Sequence, residues 1–313
     1  MREVIAPTIT LVTLAVLPFF STDYLTTVLF QALLWAYLGS SWNILGGFTG
    51  QFSLGHAAFL GIGAYSSMIL LSAYGVTPWV GMIVGGGLAA LVGAAIGLIS
   101  MRLGTVFFAL ATIALAEMMK LVFLYLRPIT GGPLGIVLAG GDPTTMVFSS
   151  PSHYYWLTLG LLASIIGFSY WLKRSKFGLN LQAIRDDEDA AKSLGINPLR
   201  HKVAASGISA FFTAIGGTIM AQWLLYVRPD VVFKIDHSIL MAVTAIIGGP
   251  YHPLGPLLGS LLVVPASLII NSLLGGKVIG LNVMVYGFLL IISPVFMREG
   301  IYPWIRDKLV RIR

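Results

Sequence analysis

Nine predominantly apolar stretches of about 20 residues follow one another along this chain, near 5 to 20, 25 to 45, 54 to 74, 79 to 99, 103 to 126, 154 to 172, 203 to 225, 255 to 274 and 278 to 297. About 20 apolar residues is the length that carries a helix across the hydrocarbon of a bilayer. Runs of this length leave little choice of fold, because backbone polar groups in hydrocarbon must pair within the segment itself. Membrane barrel strands are short and alternating, which these runs are not. The expectation is an all-α integral membrane protein. Charged residues make up only 10% of the 313, against about 25% in soluble domains.

A tenth apolar segment, Ser238 to Gly249, is short and ends at Gly248-Gly249-Pro250. Whether it crosses decides the topology. With it counted, residues 1 to 4, 100 to 102, 173 to 202 and 298 to 313 share one side and hold fourteen Lys and Arg. The opposite loops, 127 to 153, 226 to 237 and 275 to 277, hold four. The positive-inside rule then predicts ten crossings with both termini cytoplasmic. That rule also accounts for the net charge of +7, which in a soluble chain would have suggested nucleic acid. Residues 5 to 20 follow Arg2 but precede no small-x-small cleavage site, so they read as a retained first helix.

Charge is concentrated in one internal loop. Residues 173 to 202 carry eleven of the 31 charged side chains. Within them Arg185, Asp186, Asp187, Glu188, Asp189, Ala190, Ala191 and Lys192 lead to Gly195 and Pro198. Acids first, a lysine late, then glycine and proline describe one short helix with both dipole ends complemented. Glu188 and Lys192 form an i,i+4 pair, and Ala190 and Ala191 give a flat small-residue patch for a soluble partner.

Polar residues are scarce elsewhere. Gln51, Ser53 and His56 stand at the entry to the third span, where a broken helix would free backbone groups that need partners. Two readings stay open: pathway lining, or a polar cap at the interface. Glu117 and Lys120 lie i,i+3 inside an apolar stretch, as a structural pair or as a pathway acid. Gly81/Gly85, Gly93/Gly97 and Gly255/Gly259 have the spacing of close helix packing. Thr130-Gly-Gly and Gly140-Gly-Asp-Pro143 are turn chemistry in the longest external loop. A faint echo sets Gly46-Gly47, Gly55 and Gly61 beside Gly248-Gly249, Gly255 and Gly259, and such paired interruptions point to a midplane pathway between repeats.

Catalytic signatures are missing. The chain has no cysteine, hence no disulfide or thiolate chemistry. Gly276-Lys277-Val278 lacks the rest of a phosphate loop, and the five histidines have no metal-ligand spacing, so neither a nucleotide site nor a metal is expected.

Taken together, the run Asn43 to Tyr65 with its core Gly-Gly-Phe-Thr-Gly-Gln-Phe-Ser-Leu-Gly-His-Ala-Ala (46 to 58), Phe107 to Glu117, Thr130-Gly-Gly, and Phe177 to Gly195 resemble the M-type permease of branched-chain amino-acid ABC importers. These segments keep the family's order, and Asp189 stands where the general permease signature has Glu. The resemblance implies a type II importer-like fold of about ten helices with a weak inverted repeat, residues 1 to 313 forming one permease domain in a prokaryotic inner membrane. It implies a coupling segment at 178 to 198 and a pathway drawn from Asn43, Gln51, Ser53, His56, Glu117 and Thr130. It also implies partners: a second permease, two cytoplasmic ATPases that bind ATP and Mg, and an extracytoplasmic binding protein. This chain would be a transport subunit and no enzyme. Gly249-Pro-Tyr-His-Pro-Leu-Gly255 departs from the family's usual turn, and urea or short-amide importers have similar permeases. The rival classes are an ion-coupled transporter, which would need a coupling site in the bundle, and a membrane enzyme, which would need clustered His, Asp or Glu.

Overall fold

A computed structural model describes residues 10–100, 105–138, 140–273, 284, 287, 300–304 and 308. Along them run α1 (Thr10–Phe20), α2 (Asp23–Thr49), α3 (His56–Tyr74), α4 (Pro78–Ser100), α5 (Thr105–Tyr125), α6 (Arg127–Thr130), α7 (Pro151–Arg174), α8 (Lys176–Asp186), α9 (Glu188–Ser193), α10 (Pro198–Leu224), α11 (Pro229–Val232), α12 (Ile235–Gly248) and α13 (Gly255–Leu273). The protein is an all-helical membrane protein. Among the described residues, seven helical segments are long and apolar enough to cross a bilayer, and α1 and α13 are shorter apolar helices. Pro229–Gly248 is one of the seven, so the short tenth segment of the sequence has the length to cross. The expected span 278 to 297 and most of the basic C-terminal tail lie outside the described residues.

The chain divides into two compact units, with divisions inside α2, α7 and α12 and one in the loop just before α7. The larger unit, Ser41–Phe148 with Trp171–Ala242, is built around α3, α4 and α10. Glycine sets their spacing. A Cβ on Gly63 would overlap the Ala214 carbonyl, one on Gly217 would overlap that of Leu60, and one on Gly81 would come within 2.7 Å of the Ser67 Cα. Backbones in contact gain dispersion that side chains would otherwise prevent, the main attraction between helices in lipid. Tyr65, Phe123 and Phe233 close this core with ring centroids 4.8 to 6.1 Å apart. An antiparallel pair, β1 (Ile136–Val137) with β2 (Tyr226–Val227), ties the long loop after α6 to the end of α10.

In the other unit, Tyr155 donates to the Leu14 carbonyl at 2.6 Å, and Phe30 packs on Tyr154. There α12 and α13 meet through Gly248, Gly255 and Gly259, each with no room for a Cβ.

Candidate functional site

The short helix expected before Gly195 is α9, which starts at Glu188, while Arg185 and Asp186 end a separate helix, α8. Asp187 adopts φ −156, ψ 111 and breaks the run. Its Oδ1 accepts from the backbone N–H of Asp189 and of Ala190, both at 2.9 Å. An aspartate that caps the following turn offers the backbone a better partner than continued helix, which is why the acidic cluster starts a new helix. At the other end Gly195 takes φ 82, its N–H donating to Lys192 and that of Ile196 to Ala191. This is a Schellman close, and the left-handed residue is the expected glycine.

Glu188 reaches Lys192 at 3.3 Å, as its spacing predicts, and also Lys202 on α10 at 2.6 Å. Burial alone would raise the Glu188 carboxyl; the hydrogen bond and charge of Lys202, then those of Lys192, hold it below the usual carboxylate range. Asp189 and Glu188 together raise Lys192. On the remaining surface, Ala190 is exposed but Ala191 is 1% exposed. The flat two-alanine patch is therefore not formed: at this short helix's pitch Ala191 turns inward and only Ala190 faces out. Arg185 pairs with Asp186 at 2.7 Å, and its Cγ would sit 2.9 Å from a Cβ on Gly50.

Gly50 opens the break between α2 and α3, with φ 70. The freed backbone groups find partners one by one. Trp42 Nε1 donates to the Ser53 carbonyl at 2.7 Å, Leu54 N–H donates to Thr112 Oγ1 at 3.1 Å, and Ala57 N–H donates to Ser238 Oγ at 2.8 Å. His56 spans the rest: its Nε2 lies 2.8 Å from Ser209 Oγ and its Nδ1 3.1 Å from Ser53 Oγ. Ser209 donates its own proton to the Ser41 carbonyl at 2.6 Å, so it accepts from His56 Nε2–H and leaves Nδ1 to accept from Ser53. His56 and Ser53 are thus 0% and 1% exposed within a closed polar network.

Of the other expected pathway residues, Asn43 and Gln51 are buried at 2% and 7% exposure. Thr130 is buried too, donating toward the Phe123 and Leu126 carbonyls while accepting from Gly132 N–H, a capping role. Glu117 is the outlier. Its side chain is 57% exposed and paired with Lys120, so it stands on the outer face of α5, with Leu110, Met118 and Leu121 exposed on the same helix. The structure gathers Gln51, Ser53 and His56 at one break and leaves Glu117 apart from them. Sequence reasoning missed Lys202, Ser209, Trp42, Thr112 and Ser238. The stripe Lys202, Ser206, Ser209, Thr213, at helical spacing on α10, was the available signal.

Apolar spans interrupted by a buried polar break, beside one capped and charged surface helix, are the construction of a transport permease. No group of three His, Asp or Glu able to hold a metal occurs among the described residues. The chain belongs to the branched-chain amino acid transport system / permease component family, which matches residues 24–294. It is 27% identical over 301 residues to the high-affinity branched-chain amino acid transport system permease protein LivM of Escherichia coli, covering 88% of this chain and 69% of that one. It is 22% identical to the probable LivM of Methanocaldococcus jannaschii, over 69% of this chain and 66% of that one. A nucleoside ABC transporter permease, NupC of Lactococcus lactis, is 28% identical over 46% of this chain and 47% of its own length.

Proposed function

We propose that this permease serves an importer that moves branched-chain or other small hydrophobic amino acids into a prokaryotic cytoplasm, driven by ATPases on separate chains. Asp186 to Gly195 is the segment that docks on a cytoplasmic ATPase. The observation that carries this reading is α9: a six-residue helix closed at both ends, in the most basic loop, clasped by Glu188 to Lys192 and Lys202, in a chain without a phosphate loop. A short, stiff helix on the basic side is suited to receive motion from a soluble partner. Both termini lie on that cytoplasmic side.

Glu117 supports a second permease as neighbour. A half-exposed acid on an apolar span is costly against lipid, and a facing protein surface or a water-filled path relieves that cost. The pathway then forms where the two permeases meet, and the buried residues Asn43, Gln51, Ser53, His56 and Thr130 shape its wall from behind. An extracytoplasmic binding protein delivers substrate to the opposite face. Purification of the native complex in mild detergent tests the reading. ATPase subunits and a second permease should co-purify, and leucine, isoleucine and valine should compete for uptake; transport by the chain alone in liposomes would refute it.

A further inference from the structure

Lys202 is 4% exposed near the start of α10, and its Nζ lies 2.6 Å from Glu188 Oε2. The same carboxylate faces Lys192 through its other oxygen at 3.3 Å. Between α9 and α10 the chain consists only of Leu194 to Asn197, and it turns at Gly195, which has φ 82 and open space where a side chain would be. The backbone bonds of Gly195 and Ile196 close α9 at this turn, and the Glu188–Lys202 pair adds a side-chain bond from α9 to α10 across the corner.

Beyond Lys202, α10 presents Ser206, Ser209 and Thr213 at steps of four, three and four residues, all buried. They therefore lie on one helix face. Ser206 donates to the Gly93 carbonyl of α4 at 2.9 Å, and Ser209 joins His56 of α3 to the Ser41 carbonyl of α2. The seven residues from Lys202 to Ser209 span about 10 Å of helix axis. One polar face thus runs from α9 to the network that holds the break at 50–55.

We propose that Lys202 is a positioning residue that makes α9 and α10 move as one body, so that a displacement of α9 reaches the 50–55 break through Ser209 and His56. This rests on the reading of Asp186 to Gly195 as the ATPase-docking segment. Lys202 is too buried to touch the ATPase itself; it acts through Glu188.

The test uses the complete transporter, with its ATPases and binding protein, in liposomes, and reads substrate imported per ATP hydrolysed. Lys202→Met keeps an apolar stem and removes the charge. The ATPases should co-purify as with the wild type, while import per ATP falls at least tenfold. The exchanged pair Glu188→Lys/Lys202→Glu, made together with Lys192→Gln so that no second lysine faces the new one, rebuilds the brace with opposite polarity and should recover at least half of the coupling. Wild-type import per ATP in Lys202→Met overturns the brace and leaves docking untouched. Loss of the ATPases from Lys202→Met assigns Lys202 to docking, which also overturns it. Should Lys202→Met fail to reach the membrane, the exchanged pair decides. Amount and coupling that recover together support the brace; recovery of amount without coupling, or of neither, overturns it. A failure of the docking reading itself looks different, since the ATPases would then be absent from the wild-type preparation.

Discussion

At residues 50–55 and again at 249–254, an apolar helix stops at a glycine with positive φ, the chain runs six residues without helix, and a second apolar helix begins. The two breaks match in form and differ in what holds them. At 50–55 side chains do it: Trp42, Thr112 and Ser238 each meet one freed group, Ser53 Oγ accepts from Gly55 N–H, and His56 ties Ser53 to Ser209. At 249–254 close contact does most of it, with a side-chain bond, His252 Nδ1 accepting from Leu254 N–H at 3.2 Å. Gly248 and Gly259 let α12 and α13 touch, Gly300 abuts Gly249, and His252 lies on Tyr302 with ring centroids 3.5 Å apart and Tyr170 at its edge. The lesson is that a broken helix can be stabilised by directional bonds or by close contact. The first kind fails when a polar partner is lost, the second when volume is added.

The largest expected effect comes from adding volume at the second break. In Gly248→Leu the new Cβ would overlap the Gly255 carbonyl, and backbone cannot yield as a side-chain tip can. A cost of about 3 kcal/mol is expected, seen as a large drop in the melting temperature of the detergent-purified protein. A wild-type melting curve would show that α12 and α13 are not packed through glycine. The first break should respond instead to loss of a partner. His56→Ala leaves the Ser53 hydroxyl without its acceptor and removes the donor to Ser209, and should cost about 2 kcal/mol in the same assay. Its effect should be strongly non-additive with Ser209→Ala and additive with substitutions at Gly248, because only the first pair shares a network.

A third turn, at Gly195, sharpens the contrast, since a side chain there meets nothing within 4 Å. Only backbone strain remains. Gly195→Val should cost about 1–2 kcal/mol of local stability at a left-handed position, while Gly195→Asn should cost much less, because asparagine tolerates that conformation. Proteolytic nicking between α9 and α10 reads this directly; equal sensitivity of the two variants would contradict the strain account.

The smallest effect is a titration. Glu188 is held below the usual carboxylate range, mainly by Lys202 against the opposing effect of burial. A carboxylate with a depressed native pKa stabilises the fold above its unfolded pKa, and that contribution disappears as pH falls through the native value. The clasp should therefore persist at pH values where a free glutamate is already half protonated, and open only below them. The chain has four glutamates, so 13C-labelled glutamate resolves Glu188. In Lys202→Met its midpoint should move up; an unchanged midpoint would remove Lys202 from the account.

The spans were legible in the sequence because hydrocarbon forces helices wherever apolar runs are long. Membership of the permease family was legible too, from the segments around His56 and Gly195. Subtler features were not. The acidic cluster at Asp186 to Asp189 read as the front of one helix, since composition cannot tell a first-turn acid from a capping one. Its flat alanine pair failed for a related reason: which side of a two-turn helix faces inward depends on what it packs against. The repeat echo was visible but misregistered. Gly46-Gly47 was set against Gly248-Gly249, whereas the backbone makes Gly50 the counterpart of Gly249, because conformation at the break and not glycine density defines the equivalence. His56 and Thr130 carry polar groups that looked available to substrate, and only the folded arrangement shows those groups already engaged.

The central claim is that the outward face of α9 docks on an ATPase and couples it to the membrane helices. Ala190 is the exposed alanine of that face, and Ala190→Arg places a long charged side chain on it at little cost to the fold, within about 0.5 kcal/mol. The measurement is uptake, together with binding-protein-stimulated ATP hydrolysis, in liposomes holding the full transporter at matched membrane expression. Both should fall at least tenfold in Ala190→Arg, since a buried, unpaired interfacial charge costs several kcal/mol of association. Wild-type uptake and wild-type stimulated hydrolysis in that variant would make 186–195 an ordinary solvated connection and contradict the coupling assignment.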